Sequence, residues 1–219
     1  MSESADSELP NTDRGMAQRF RGYLPVVIDI ETGGFNSATD AVLEIAATLL
    51  EMDSEGTLHC GNTYSYHVEP FAGANLEPEA LEFTGIDPYH PLRPSQTERQ
   101  VLEDLFGHIR TEMKRVDCKR AILVGHNAAF DQGFLGAATD RCSIKRSPFH
   151  PFSSFDTATL AGLAVGQTVL AKACHAAGVA FDNSDAHRAC YDSEKTAELF
   201  CYIVNRYKML GGWPLGEKP

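Results

Sequence analysis

Residues 26–32 read Val-Val-Ile-Asp-Ile-Glu-Thr, an apolar and β-branched run that contains two acidic residues. Such a run predicts a buried strand, and Gly33-Gly34 directly after it predict where the strand ends. Asp29 and Glu31 are two positions apart, so both side chains project from the same face. Like charges this close resist ionising unless a cation lies between them. The segment therefore predicts either a metal site at the end of a strand or two acids that face solvent.

The order of the other elements predicts the fold class. Val42–Met52, a turn at 53–56 and Tyr64–Val68 predict an antiparallel meander with the first strand. After it, helices and strands alternate along the chain, and one sheet covered by helices on both faces fits this order best. The later elements are predicted as a helix start at 76–83, an amphipathic helix at 95–114, a buried strand at 121–124, a helix through Leu135, a loop at 147–152, small-residue helices at 157–178 and a terminal helix at 188–209.

The size and composition of the chain fit one domain. The 219 residues, 43% of them hydrophobic, can form a single core. We expect residues 1–16 to be a disordered extension and residues 17–219 to form the domain. The sequence contains no run of about 18 apolar residues, so we expect no membrane span. The acidic start does not resemble a signal peptide. The six cysteines form no Cys-x-x-Cys pair, which favours reduced thiols and a cytoplasmic location.

The net charge of −11 argues against a protein that coats nucleic acid indiscriminately, although it permits nucleic acid as a substrate. Two bound divalent ions would add four positive charges at the place where a phosphate must bind. Basic residues are concentrated at 110–146, which holds eight of the nineteen Lys and Arg residues. Each of them is either solvated surface charge or part of a nucleic-acid contact.

Three further residues could complete an acidic site. Asp131 follows the strand at 121–124 after a short connection, where it could either reach over the sheet edge or act as a helix N-cap. Asp192 lies inside the terminal helix. His187 precedes it by five residues, too far around a helix to share its face, so we expect His187 on the loop before the helix. There it is either an exposed histidine or a base that takes a proton from water.

Taken together, the segments around Asp29, Asp131 and Asp192 resemble the motifs of the DEDD exonuclease superfamily, in the subclass with a catalytic histidine. Asp29 and Glu31 match the first motif, Asp131 the second, and His187 with Asp192 the third. Other segments resemble the ribonuclease T family within this superfamily, over nearly the whole chain after about residue 16. They are Phe-Arg-Gly-Tyr at 20–23, Ile-Glu-Thr-Gly-Gly-Phe-Asn at 30–36, Gly-Ala-Asn-Leu at 73–76, Pro-Glu-Ala-Leu at 78–81, Gly-Ile-Asp-Pro at 85–88, Pro-Phe-His-Pro-Phe at 148–152 and Gly-Gly-Trp-Pro-Leu at 211–215.

The resemblance implies a ribonuclease H-like α/β fold with a central mixed five-stranded sheet and a homodimer that trims the 3′ ends of transfer RNA and other stable RNAs. Activity on single-stranded DNA 3′ ends is also expected. It implies two Mg²⁺ ions, replaceable by Mn²⁺, with His187 as general base. The implied metal ligands are Asp29, Glu31, Asp131 and Asp192. The implied substrate contacts are base-stacking Phe35, Phe83, Phe130 and Phe152, terminal-base contact Glu79, and the RNA-guiding basic residues Arg19, Arg21, Lys114, Arg120 and Lys145.

Two other functions remain compatible with these residues. The same acids would serve a DNA proofreading exonuclease, because the same ions cut both polymers. A module that binds RNA 3′ ends without cutting them is a second alternative, and the complete set of four acids with His187 speaks against it. For each phenylalanine, the alternative to base stacking is packing in the core.

Overall fold

A mixed five-stranded sheet forms the centre of the computed structural model, which describes residues 14–213. Its strands are β1 (Tyr23–Thr32), β2 (Val42–Met52), β3 (Leu58–His67), β4 (Arg120–Gly125) and β5 (Phe149–Asp156). The strand order is β3-β2-β1-β4-β5. The first three strands pair antiparallel, and β4 pairs parallel with both β1 and β5. The predicted mixed sheet is confirmed.

Seven α-helices accompany the sheet in the described part of the chain. They are α1 (Arg14–Gln18), α2 (Pro78–Thr84), α3 (Glu98–Arg115), α4 (Ala129–Arg141), α5 (Thr157–Val165), α6 (Leu170–Ala177) and α7 (Ala189–Met209). Within residues 14–213, none of these helices has the length and apolar character that crossing a bilayer requires.

The two faces of the sheet are covered by different helices, as predicted. On one face, Ile30 and Ile45 adjoin Val101 of α3 and Leu135 of α4. On the other, the Thr48 hydroxyl of β2 lies 3.2 Å from the Ser193 hydroxyl of α7. Because alternate strand residues point to opposite faces, Asp29 and Glu31 project towards α7.

The amphipathic pattern at 95–114 predicts α3 correctly. Its apolar stripe is buried because it faces the sheet, and a Thr97–Gln100 capping box satisfies free amides at its start. The buried stripe consists of Val101, Leu102, Leu105, Phe106 and Ile109.

The predicted loop at 147–152 is wrong, because residues from Phe149 onward belong to β5. Pro151 argues against a strand interior, but β5 is an edge strand that pairs only with β4. Its register shifts between the Ala121–Phe149 and Leu123–Ser154 pairs. The irregular edge thus accommodates a proline that a central strand would exclude.

The first described residues also differ from the prediction. Residues 14–16 fall within the predicted disordered extension, but they form part of α1, and Met16 is buried in the main core. Residues 1–13 and 214–219 lie outside the described residues. The predicted disorder of residues 1–13 and the last part of the 211–215 segment therefore fall there as well.

Strands β1 and β4 separate before β1 ends. Their parallel pairing runs from Tyr23–Arg120 to Val27–Val124 and stops there, while β1 continues to Thr32. The carboxyl end of β1 therefore has one free edge beside the connection that follows β4. Ligands in α/β proteins commonly bind where neighbouring strands diverge in this way.

Candidate active site

Two carboxylates lie side by side at the carboxyl end of β1. In the antiparallel register, Asp29 is opposite Ala46 and Glu31 is opposite Glu44. Glu44 is thus a further acid beside the predicted pair, and it was not singled out from the sequence. Its side chain accepts the Ala189 amide at 3.4 Å and pairs with His67 at 3.0 Å. The available signal was its position inside the mostly apolar run at 41–52, whose other glutamate is Glu51.

Asp131 reaches across the gap between the diverging strands. It lies in the first turn of α4, and Ala128 occupies the N-cap, so the N-cap alternative for Asp131 is wrong. Its Oδ1 atom instead accepts the backbone amide of Ile30 at 3.1 Å. This amide belongs to the part of β1 that no longer pairs with β4. A buried hydrogen bond therefore ties the carboxylate to the acidic strand.

Asp192 and His187 approach from the start of α7. His187 lies on the loop before the helix, as predicted, and its amide donates to Asp192 Oδ2 at 2.8 Å. The other oxygen, Oδ1, is buried and has no hydrogen-bond partner among the described residues. His187 has a φ of 65°, in the left-handed region that non-glycine residues seldom adopt.

The acids perturb one another strongly. Burial, followed by repulsion from Asp131 and Glu31, raises the pKa of Asp29 well above its ordinary value. Burial, then repulsion from Asp192 and Glu44, raises the pKa of Glu31 to about 7. Burial also raises the pKa values of Asp131 and Asp192. A bound cation would relieve both causes of these shifts.

The donor atoms suit a divalent metal. One atom each from Glu31, His187 and Asp192 lies within 4.8 Å of the others. Carboxylate oxygens are the ligands that Mg²⁺ and Mn²⁺ prefer, and the unpaired Asp192 Oδ1 is available for one. The imidazole nitrogen could either join this set or remain outside it. The site therefore fits a divalent cation on its own chemistry.

We expect the metal-free protein to lose stability as the pH rises from about 4.5 to about 7. The pKa of Glu31 rises from an ordinary value of 4.5 to about 7 on folding, so the unfolded chain releases this proton first. Glu31 therefore contributes fully to the stability of the folded state below pH 4.5, and this contribution is lost as the pH rises through about 7. Burial also raises the pKa values of Asp29, Asp131 and Asp192, which act in the same direction as Glu31. Burial lowers the pKa of His126, which acts in the opposite direction below its ordinary value of 6.5.

The measurement is thermal unfolding in chelator across this pH range, with and without Mg²⁺. Stabilisation by Mg²⁺ should be larger at pH 8 than at pH 5.5, because protons compete with the ion for the carboxylates. A Glu31→Gln variant should show a flatter pH dependence without metal. A Glu31→Gln variant whose metal-free stability falls with pH as steeply as that of the parent would contradict the assignment.

The acids line a cleft of about 620 Å³ together with aromatic side chains. Phe35 is 82% exposed and Phe83 is 66% exposed, although both are large and apolar. The Phe83 ring lies 4.3 Å from the His187 ring, and Phe35 lies 6.3 Å from Phe130. Glu79, one turn before Phe83, lines the same cleft. Four predicted substrate contacts therefore surround the acidic cluster.

His126 and Asn127 also line the cleft, and neither was singled out from the sequence. The His126 ring contacts the Thr157 hydroxyl at 3.0 Å and the Thr168 carbonyl at 2.9 Å, so both nitrogens have partners. Asn127 has a φ of 68°, and its amide donates to Asp156. The signal for both was their place in the connection between β4 and Asp131.

The predicted basic contacts lie elsewhere on the chain. Arg21 precedes β1, and Arg120 is the first residue of β4. Lys114 lies in the last turn of α3, before β4, and Lys145 lies between α4 and β5, so both are at the same end of the sheet. This end, which we call the basal edge, is about 25 Å along β1 from Glu31. Phe152 also lies there, 81% exposed beside His150.

Arg19 differs from the other predicted basic contacts because it is only 5% exposed. Its guanidinium packs over the rings of Phe20 and Trp213, at 5.0 and 4.3 Å from their centroids. Burial lowers its pKa. Within a single chain, Arg19 therefore supports the local packing at the basal edge and does not face solvent.

Several known proteins are similar to this chain in sequence. A family model described as RNase_T, Exonuclease, matches residues 26–200. Ribonuclease T of Shewanella sp. (strain W3-18-1) is 64% identical over 200 residues, which cover 91% of this chain and 90% of that protein. Ribonuclease T of Vibrio vulnificus (strain YJ016) is 62% identical over 210 residues, which cover 95% and 97% of the two chains.

Solved structures show a related fold. E. coli exonuclease I in complex with a dT13 oligonucleotide superposes with a TM-score of 0.63 at 20% identity, over 86% of this chain and 42% of that chain. The zinc-ion-bound form of the E. coli ExoI–ssDNA complex gives a TM-score of 0.64. The chain spans about two fifths of the length of these exonucleases, and at this identity the likeness concerns the fold. The predicted ribonuclease H-like fold is confirmed.

Proposed function

The chain belongs to the RNase_T exonuclease family, and from this membership we propose that it trims the 3′ ends of transfer RNA and other stable RNAs. The chain is a 3′-to-5′ exonuclease that hydrolyses phosphodiester bonds. Each cycle would remove the last nucleotide as a nucleoside 5′-monophosphate.

One observation carries the proposal: acids from β1, α4 and α7 converge on one cleft whose rim consists of exposed phenylalanines. Buried acids that repel one another need cations, and exposed aromatic rings beside them suit unpaired bases. A chain end can enter such a cleft with its terminal bases stacked on the rings. A paired end could not, so trimming would stop where the strand becomes double-stranded.

The positions of the acidic residues support their proposed roles. Asp29, Glu31, Asp131 and Asp192 would hold two Mg²⁺ ions, with Mn²⁺ as a substitute. When bound, the ions would activate water and stabilise the leaving 3′ oxygen. The Asp131–Ile30 hydrogen bond and the His187 amide fix two of these carboxylates in place.

His187 would accept the proton of the attacking water as general base. Its ring packs against Phe83, which would also support the terminal base. The same aromatic side chain would thus orient both the base catalyst and the substrate. Glu79, one helical turn from Phe83 on α2, would contact the edge of that terminal base.

Phe35→Ala should weaken substrate binding with little effect on folding. The ring is 82% exposed, and removal of a stacking partner costs about 1–3 kcal/mol per base, or roughly 5- to 150-fold in KM. Steady-state kinetics on a short single-stranded RNA would measure the change. Leu92→Ala, which removes an equally exposed side chain outside the cleft, provides the control. An unchanged KM for Phe35→Ala would remove its stacking role.

The basal edge suggests that two copies of the chain act together. The basal edge lies about 25 Å along β1 from Glu31, so its basic residues are at the end of the sheet opposite the cleft of their own chain. A homodimer in which the basal edge of one subunit faces the cleft of the other would solve this. Arg21, Lys114, Arg120 and Lys145 would then guide RNA into the partner's site, and Phe152 could stack on a base there.

Lys114→Ala combined with Lys145→Ala should mainly raise KM and make it less sensitive to salt. Both side chains are exposed, and each phosphate that a lysine no longer neutralises lowers the salt dependence of binding by about one counterion. The measurement is kcat and KM between low and high KCl. Lys172→Ala, which removes an exposed lysine of α6, is the matched control. Salt sensitivity equal to that of the parent would contradict the guiding role.

A 3′-tailed RNA hairpin, digested with and without Mg²⁺, tests the proposed function. We expect a ladder that shortens from the 3′ end, stops near the stem and requires Mg²⁺, with nucleoside 5′-monophosphates as products. A matched DNA hairpin distinguishes the proofreading alternative, which predicts faster cleavage of DNA. Binding without release of monophosphates would favour a non-catalytic 3′-end module.

A cytoplasmic location fits the cysteines. All six are free thiols in the structure, and reduced thiols persist in reducing compartments. The RNAs proposed as substrates are encountered in the same compartment. Fractionation of cells that express the tagged full chain would test this location.

A further inference from the structure

Cys60 and Cys201 face each other between the edge strand and the helix that carries Asp192. Cys60 lies on β3 and is exposed, whereas Cys201 lies on α7 and is 6% exposed. Side-chain hydrogen bonding between the two thiols is the largest single influence on the pKa of each. The pair is separate from the cleft, and nothing in the proposed reaction uses it.

The packing of β3 against α7 fixes this pairing independently of the thiols. At one level, the Asn205 side chain binds the amide and the carbonyl of Leu58, both at 2.8 Å. At the other, the Thr48 hydroxyl bridges Thr63 of β3 at 3.0 Å and Ser193 of α7 at 3.2 Å. These two ties show that β3 and α7 run in opposite directions.

The cysteines fall between these ties at matching heights. Cys60 is two residues beyond Leu58, a rise of about 6.6 Å along a strand. Cys201 is four residues before Asn205, a rise of about 6 Å along a helix. The same turn of α7 therefore meets Cys60, and a shared level is one condition for a disulfide between neighbouring elements.

The two thiols differ in reactivity. The hydrogen bond from Cys201 lowers the pKa of the Cys60 thiol, and the nearby Lys195 acts in the same direction against Glu198 and Glu194. The same hydrogen bond, together with burial, raises the pKa of the Cys201 thiol. Of the six cysteines, all within the described residues, Cys60 is the exposed one. It is thus the thiol that a small oxidant reaches first.

We propose that Cys60 and Cys201 form an oxidation site, at which a peroxide converts the two thiols into a reversible disulfide joining β3 to α7. The Cys60 thiolate attacks one peroxide oxygen, the O–O bond breaks, and the departing hydroxide takes up a proton to leave as water. Cys60 is then a sulfenic acid. The Cys201 sulfur attacks the Cys60 sulfur, the S–O bond breaks, and the hydroxyl leaves as water with the Cys201 proton. Two thiols are oxidised, and one peroxide is reduced to two waters.

The experiment uses the reduced full chain and hydrogen peroxide. After oxidation, remaining thiols are alkylated under denaturing conditions, and peptides are mapped by mass spectrometry without reductant. We expect the loss of two alkylatable thiols per chain, one linked peptide pair that contains Cys60 and Cys201, and full recovery after dithiothreitol. Mixing isotope-labelled and unlabelled chains should give only same-label pairs.

Matched variants separate the two steps. In Cys201→Ser, Cys60 should accumulate as a sulfenic acid that dimedone traps, whereas the parent should trap little. In Cys60→Ser, Cys201 should remain alkylatable after peroxide. Cys190→Ser, which changes the one partly exposed thiol outside the pair, should behave as the parent. Mixed-label pairs, or oxidation of Cys60 in the parent that leaves Cys201 alkylatable, would overturn the proposal even if a variant failed to fold.

Discussion

Replacement of Asp29 by Asn should abolish exonuclease activity and make the metal-free protein more resistant to heat. The carboxylate is buried among other acids that raise its pKa, so its charge is unfavourable to the fold until a cation binds. Losing one ligand removes several kcal/mol of transition-state stabilisation, which corresponds to about 10³-fold or more in rate. Asp192→Asn should lose activity in the same way.

Two measurements on the same variant test the metal role and the charge repulsion separately. Single-turnover cleavage at excess Mg²⁺ gives the rate, and thermal unfolding in chelator at pH 8 gives the stability. Glu51→Gln, an exposed acid on β2 outside the cleft, should change neither. An Asp29→Asn enzyme that cleaves at the parent rate with excess Mg²⁺ would refute the metal role. A lowered thermal midpoint without metal would refute the repulsion.

Loss of the His187 side chain should have the second-largest effect, a fall in kcat of about 10²-fold or more. His187→Ala keeps the backbone amide that holds Asp192 at 2.8 Å. However, the residue at position 187 has a φ of 65°, and Asn adopts this conformation more readily than Ala. His187→Asn is therefore the matched control, since equal losses in both variants assign the effect to the imidazole and a recovery in Asn assigns it to the backbone.

The metal requirement distinguishes a base from a ligand. His187 is close enough to Glu31 and Asp192 to share an ion with them. If it acts as a base, His187→Ala should keep the Mg²⁺ concentration that gives half-maximal rate, and its rate should lose the pH dependence of the parent. A large rise in that concentration would make His187 a ligand, and a flat pH profile in the parent enzyme would argue against a base at this position.

The central elements of the fold could be predicted from sequence, and the edges of the sheet could not. β1, β2 and β4 are apolar because both of their faces are covered, so their sequences carry the signal. β3 is mostly half-buried or exposed, and its prediction began at Tyr64 instead of Leu58. β5 contains Pro151, which only an edge position tolerates. Whether such a segment forms an edge strand depends on the neighbouring strand with which it pairs, and the local sequence pattern does not contain that information.

The same distinction applies to the site. Asp29 and Glu31 could be paired by strand alternation alone, because the geometry between them is local. Glu44 faces Glu31 through the register of a neighbouring strand, and register is a long-range property. Arg19 has the sequence of a surface cation but is covered by Trp213. Its burial follows from contacts between opposite ends of the chain.

The hydrogen bond from Ile30 to Asp131 joins the middle strand of the sheet directly to the reacting groups. A substitution that changes the charge of Asp131 therefore also changes a hydrogen bond to the backbone of β1. Substitutions that make this scaffold more robust by neutralising its acids will therefore tend to cost turnover. Substitutions that raise heat resistance and leave turnover intact should be sought away from the cleft, at the carboxyl ends of α4 and α7 and in the outer strands β3 and β5.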